Sequence, residues 1–236
     1  MNRTSLLQTL SNSYKSDFLG YGNPNGDILI IGKECAFEPE TADEFHEELN
    51  QLTYYNNADS WDKFCKKPHD SSLISDWKHV KRRDWEKEFS PRFAFRGQCC
   101  TIGGTTGTST TWYRYQKLID LFLGTKKTKE DLLDFQDYCF ITELNGLPMK
   151  KSRPSKDVKR SIENRVNGLL KEPFFQSFPL VIAACKGYIN RYNIDLKALF
   201  PNARIIITNQ LSILPHKGYL EKLADLMMGD EPFIIL

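Results

Sequence analysis

The sequence predicts an α/β fold: a three-layer α/β/α sandwich around a short, mainly parallel four-stranded sheet, with a helical insertion after the first strand. Three observations carry this. Four short runs, 27–32, 138–143, 179–185 and 204–208, are apolar at consecutive positions and rich in branched side chains. That is the pattern of parallel strands covered on both faces. The stretches between them carry apolar residues at helical spacing, and strands alternate with helices, so right-handed crossovers place helices on both faces. The 236 residues suffice for one large domain or two small ones. The pattern is read as a single domain over 1–236.

In chain order, Met1-Asn2-Arg3-Thr4-Ser5 leads into no apolar stretch of the signal-peptide kind. The turn Asn23-Pro24-Asn25-Gly26 feeds the first strand, which ends at Gly32. Residues of about 38–100 then break the rhythm. They are polar and aromatic, with 13 acids and 9 bases between Glu38 and Arg92, a net −4. Loops after the carboxyl ends of parallel strands build ligand sites. The insertion is therefore either a lid or specificity element, or a partly helical decoration with no functional role. The next helix, 111–123, has Leu118, Leu121 and Phe122 at helical spacing and stops at Gly124. Thr128 to Asp131 reads as the cap of a helix over 132–138. Over 156–170, Val158, Ile162, Val166 and Leu169 form one stripe. Segments 187–199 and 218–228 complete the helices. Pro232-Phe233-Ile234-Ile235-Leu236 is apolar enough to pack on the core or on a partner.

Lys and Arg number 32 and Asp and Glu 30, a formal net charge of +2. Any nucleic-acid contact must then come from local clustering of charge. With 40% hydrophobic and 26% charged residues, the composition is that of a globular chain and argues against wholesale disorder. No apolar run approaches the roughly 18 residues of a spanning helix, so a cytoplasmic protein without membrane association is expected, monomeric by default. The six cysteines (Cys35, Cys65, Cys99, Cys100, Cys139, Cys185) are irregularly spaced without a CxxC and read as free thiols. His46, His69, His79 and His216 show no HExxH or HxH spacing, so no metal and no cofactor is expected. The glycine-rich stretch 101–113 has no Gly-Lys-Ser/Thr and no strand feeding it, which argues against a nucleotide P-loop.

Two stretches carry chemistry. Gly32, at a strand's carboxyl end, allows a sharp turn or close approach to a ligand, and Lys33 and Glu34 follow at once. A carboxylate there is placed for acid/base or electrostatic work; the competing reading is a solvated Lys-Glu pair. Residues 150–171 contain eight bases (Lys150, Lys151, Arg153, Lys156, Lys159, Arg160, Arg165, Lys171) and two acids, a net +6. Phosphate binding needs such a local cluster, although a charge run can equally be a solvated helix face.

These residues sit in a larger pattern. Asn23-Pro24-Asn25-Gly26-Asp27-Ile28-Leu29-Ile30-Ile31-Gly32 resembles the first motif region of the uracil-DNA glycosylase-like superfamily, a turn and strand ending in Gly before a short catalytic loop. Gly104-Thr105-Thr106-Gly107, Phe140 to Pro154, Pro179 to Gly187 and Thr208 to Ser212 resemble its later segments, in the right order. The resemblance implies that fold, and implies a DNA base glycosylase that hydrolyses the N-glycosidic bond of a damaged or deaminated, uracil-type base during DNA repair. The alternative is a catalytically degenerate nucleic-acid- or nucleotide-binding relative. Glu34 matches the catalytic acid position of one branch, although Cys35 replaces the Pro of that loop. Gln210 stands where many members have His, and offers a donor without charge. Substrate binding would fall to Gly32, Lys33, Phe37 (base stacking), Glu143 or Asn145 (the base edge) and Ser212. Asn145, before Gly146, is equally read as a turn residue. The DNA backbone, in single- or double-stranded DNA, would meet Lys150, Lys151, Arg153 and Lys156. With no Cys before Cys35, no iron–sulfur cluster is expected.

Overall fold

The computed structural model describes residues 2–14, 17–34, 98–103, 107–149 and 152–236. The insertion thus lies outside the described residues except for Gln98, Cys99 and Cys100, and so do Phe37, Lys150 and Lys151. In chain order the elements are α1 (Arg3–Ser13), β1 (Tyr21–Gly22), β2 (Ile28–Gly32), α2 (Thr110–Leu123), β3 (Cys139–Glu143), α3 (Lys156–Asn167), α4 (Pro173–Gln176), β4 (Leu180–Ala183), α5 (Lys186–Tyr192), α6 (Leu196–Leu199), β5 (Arg204–Ile207), α7 (Tyr219–Met228) and β6 (Phe233–Ile235).

The strands form one mixed sheet in the order β1-β3-β2-β4-β5-β6. Its centre is the four predicted runs, all parallel, with Ile30 opposite Ile141 on one side and Ile182 on the other. Alternation along these strands sorts side chains to two faces. Ile28, Ile30, Ile141, Ile182 and Ile206 pack under α2 and α7, which also pack on each other. Leu29, Ile31, Phe140, Val181, Ile205 and Ile207 pack with side chains of α1 and α3 to α6. Both faces are apolar, so the strands read as continuous hydrophobic runs.

The structure departs from expectation at the edges and between the strands. Among the described residues the sheet has six strands where four were expected. β1 adds antiparallel to β3; Gly22, at φ 104°, makes this possible, because a Cβ there would collide with the Cys139 carbonyl. The C-terminal apolar run is β6, parallel to β5. The helix expected over 132–138 is reduced to one 3-10 turn, Phe135–Asp137. Its leading residues spend their backbone groups elsewhere: Cys100 N donates to Asp131 O at 2.8 Å and Leu133 N to Gln98 O at 2.9 Å. The segment 156–170 breaks at Gly168, and 187–199 divides at Asn193, which takes the left-handed conformation at φ 50°. Among the described residues, no helix is long and apolar enough to cross a membrane.

Candidate functional site

The carboxyl ends of β2, β3 and β4 bring the site together. Gly32 and Glu143 are register partners across adjacent parallel strands. A Cβ on Gly32 would sit inside van der Waals contact with Glu143 Oε2, so the carboxyl lies directly over the Gly32 backbone. Pairing continues beyond the strands, with Leu144 N donating to Gly32 O at 2.9 Å and Asn145 N to Lys33 O at 2.8 Å. Lys33 and Glu34 are thereby held at the mouth of the sheet beside Glu143.

The two carboxyls have different surroundings. Glu34 Oε1 accepts a short hydrogen bond from Ser152 Oγ, while its buried Oε2 has no hydrogen-bond partner among the described residues. Glu143 keeps slight exposure as a residue, but its carboxyl is enclosed, and its pKa is pushed up to about 8. Burial is the main cause; the negative charge of Glu34 adds to it and Arg165 opposes it. At neutral pH Glu143 therefore keeps its proton. A carboxyl kept protonated at neutral pH is available as a proton donor.

Arg165, from α3, is buried and ties the site to the scaffold. Its Nε donates to Glu143 O at 2.9 Å, Nη1 to Phe18 O at 2.7 Å and Nη2 to Thr142 Oγ1 at 2.9 Å. It is thus not part of the exposed basic surface to which the sequence assigned it. Arg153, Lys156, Lys159 and Arg160 are exposed.

From β4 and α5 come Cys185 and Tyr188, both buried. Burial first, and then the nearby carboxylates, push the Cys185 thiol far up, so it is not a thiolate nucleophile. The Tyr188 phenol is raised by burial and by Glu34. Its buried hydroxyl has no hydrogen-bond partner among the described residues. Lys33 Nζ lies 5.7 Å from the Tyr188 ring centroid, and the Tyr192 ring lies 5.6 Å beyond it.

Of the residues expected from sequence, the structure brings Gly32, Lys33, Glu34 and Glu143 together. Asn145 is next to them but has a turn role: its Oδ1 accepts from Leu147 N at 3.0 Å and its amide meets Met149 Sδ at 3.5 Å. Gln210 and Ser212 follow β5, which β4 separates from β2. No hydrogen bond or ion pair joins them to Glu34 or Glu143 among the described residues. Their loop is tied to α2 instead, through Arg114 Nη1 donating to Leu211 O at 2.9 Å. Sequence reasoning missed Ser152, Arg165, Cys185 and Tyr188. Reading the residues just past every strand's carboxyl end, rather than motif positions alone, would have found Cys185 and Tyr188.

Among the described residues no cluster of three or more His, Cys, Asp or Glu is placed to hold a metal ion. No family model matches the chain, and no curated protein or solved structure matches it either.

Proposed function

We propose that this chain hydrolyses the N-glycosidic bond of a base in DNA, as a glycosylase with a uracil-DNA glycosylase-like α/β/α core around the parallel centre of its sheet. The observation that carries the reading is the carboxyl pair astride Gly32. Cleavage places negative charge on the departing base and positive charge on the sugar. Glu143, protonated, is suited to donate its proton to the base. Glu34 is suited, as a carboxylate, to stabilise the sugar cation and accept a proton from the attacking water. The proton lost by Glu143 is balanced by the one Glu34 gains, and one water is consumed. A base in duplex DNA would first be flipped out of the stack, and the exposed Arg153 and Lys156 beside Ser152 offer phosphate contacts.

The test is base release from single- and double-stranded DNA carrying uracil, hypoxanthine or mismatches. The wild type is expected to release one of these bases, and Glu34→Gln to slow release by about 10²–10⁴-fold. That no hydrogen bond or ion pair joins Gln210 or Ser212 to the pair among the described residues favours a second reading, a non-catalytic nucleic-acid- or nucleotide-binding relative. It predicts salt-sensitive binding without release. Neither release nor binding would sink both.

A further inference from the structure

A cleft lies between α3 and the segment running from α5 into α6. None of Gly32, Lys33, Glu34, Glu143 and Ser152 lines it. Its volume, about 570 Å³, is in the range of small-molecule pockets. Ile162 and Val166 of α3 line it together with Ile194 and Leu199. All four belong to the apolar core on that face of the sheet, so this part of the wall is held by packing.

The polar groups of the cleft are unequally spent. Its two acids have partners within the chain. Glu163 pairs with Lys159 at 3.6 Å across one helical turn, and Asp195 Oδ1 caps α6 by accepting from Ala198 N at 3.0 Å. Lys171 and Arg191 line the same cleft and are exposed. Their side chains make no hydrogen bond or ion pair among the described residues, and neither do the side-chain amides of Asn167 and Asn193. Asn167 and Lys171 stand at the end of α3 and just after it, Arg191 and Asn193 at the end of α5. Two separate segments thus bring unspent donors to one concavity.

Such donors suit an anion. A guanidinium fork, an ammonium and two amides exceed what the two oxygens of a carboxylate need. They match the three terminal oxygens and double charge of a phosphate monoester. The apolar wall then accommodates an apolar body attached to that phosphate.

We propose that this cleft binds a small phosphate monoester with an apolar or aromatic body. Arg191 and Lys171 take the phosphate, with Asn167 and Asn193 beside them, and the wall of Ile162, Val166, Ile194 and Leu199 takes the body. The site is separate from the carboxyl pair and does not depend on the glycosylase reading.

The experiment titrates the full ¹⁵N-labelled chain with phenyl phosphate and follows its amide signals by NMR. Phenol and inorganic phosphate serve as the two halves of the ligand. Phenyl phosphate is expected to saturate, to shift amides of the lining stretches 166–167 and 191–195, and to bind at least about tenfold more tightly than either half. Arg191→Ala and Lys171→Ala, both at exposed positions, should each weaken it about tenfold or more. Shifts without saturation overturn the proposal, as does phenol or inorganic phosphate binding as tightly as phenyl phosphate. An affinity unchanged in both folded alanine variants also overturns it, because a phosphate held by Arg153 and Lys156 would be blind to them. A short DNA duplex that displaces phenyl phosphate and shifts the same amides would make the occupant a nucleic-acid backbone, and would overturn it too.

Discussion

Glu143 shows how one backbone position sets a side chain's chemistry. Its carboxyl can lie where it does because Gly32, opposite in register, has no side chain. Enclosure and the neighbouring charge of Glu34 then raise its pKa from 4.5 to about 8. The consequence for stability follows from linkage. Below about pH 4.5 the group is protonated in both folded and unfolded chains. As pH rises to about 8, the unfolded chain ionises while the folded one stays protonated, and stability is lost across that window. Glu143→Gln removes this loss. The variant should gain on the order of 3–4 kcal/mol over wild type between pH 5 and pH 8, measured as the difference in urea midpoints at the two values. A constant difference would show that Glu143 ionises normally. Asn145, two residues on, shows another use of a polar side chain: its carbonyl closes a turn on Leu147 N.

At the scale of elements, α3 links surface and site. Ser155 caps it, Oγ accepting from Val158 N at 3.1 Å. Ser161 Oγ accepts from Gly146 N at 3.1 Å, and Arg165, near the far end, fastens the end of β3. The helix therefore holds the Glu143 backbone from one side, while pairing with β2 holds it from the other. Ser155→Ala should cost about 1 kcal/mol in chemical denaturation. The Glu143 titration should stay unchanged, because Arg165 lies ten residues, roughly 15 Å, along the helix from the cap. A shift in that titration would mean that the cap, and not packing, sets the register of α3. The break at Gly168 and the left-handed Asn193 divide what periodicity alone reads as continuous helices. A stripe of apolar residues reports which face is buried and carries no information on where hydrogen bonding stops.

For the molecule as a whole, two cores sandwich the sheet and leave its carboxyl edge as the place where charge collects. There Lys33, Glu34, Glu143 and Arg165 meet, with exposed Arg153, Lys156, Lys159 and Arg160 on the adjoining segment. A near-neutral chain is thus consistent with a local anion-binding surface. If this surface meets DNA phosphates, Lys156→Ala should weaken binding about equally for all sequences and lower the slope of log affinity against log salt by about 1. Titrating binding from low to high salt checks this, and an unchanged slope removes Lys156 from the interface.

The four central strands and their parallel arrangement were legible in the sequence, because burial on both faces demands unbroken apolar runs such as Ile28 to Ile31. The gathering of Gly32, Lys33, Glu34 and Glu143 at the strands' carboxyl ends was also legible. The edge strands were not: β1 is two residues long and β6 three, too short for periodicity to mark. The burial of Arg165 and Tyr188 and the contact of Ser152 with Glu34 were likewise decided only in three dimensions. Ser152 is 118 positions from the carboxylate it meets. How deeply the Glu143 carboxyl is enclosed, and hence whether it keeps its proton at neutral pH, depends on packing that no local pattern encodes.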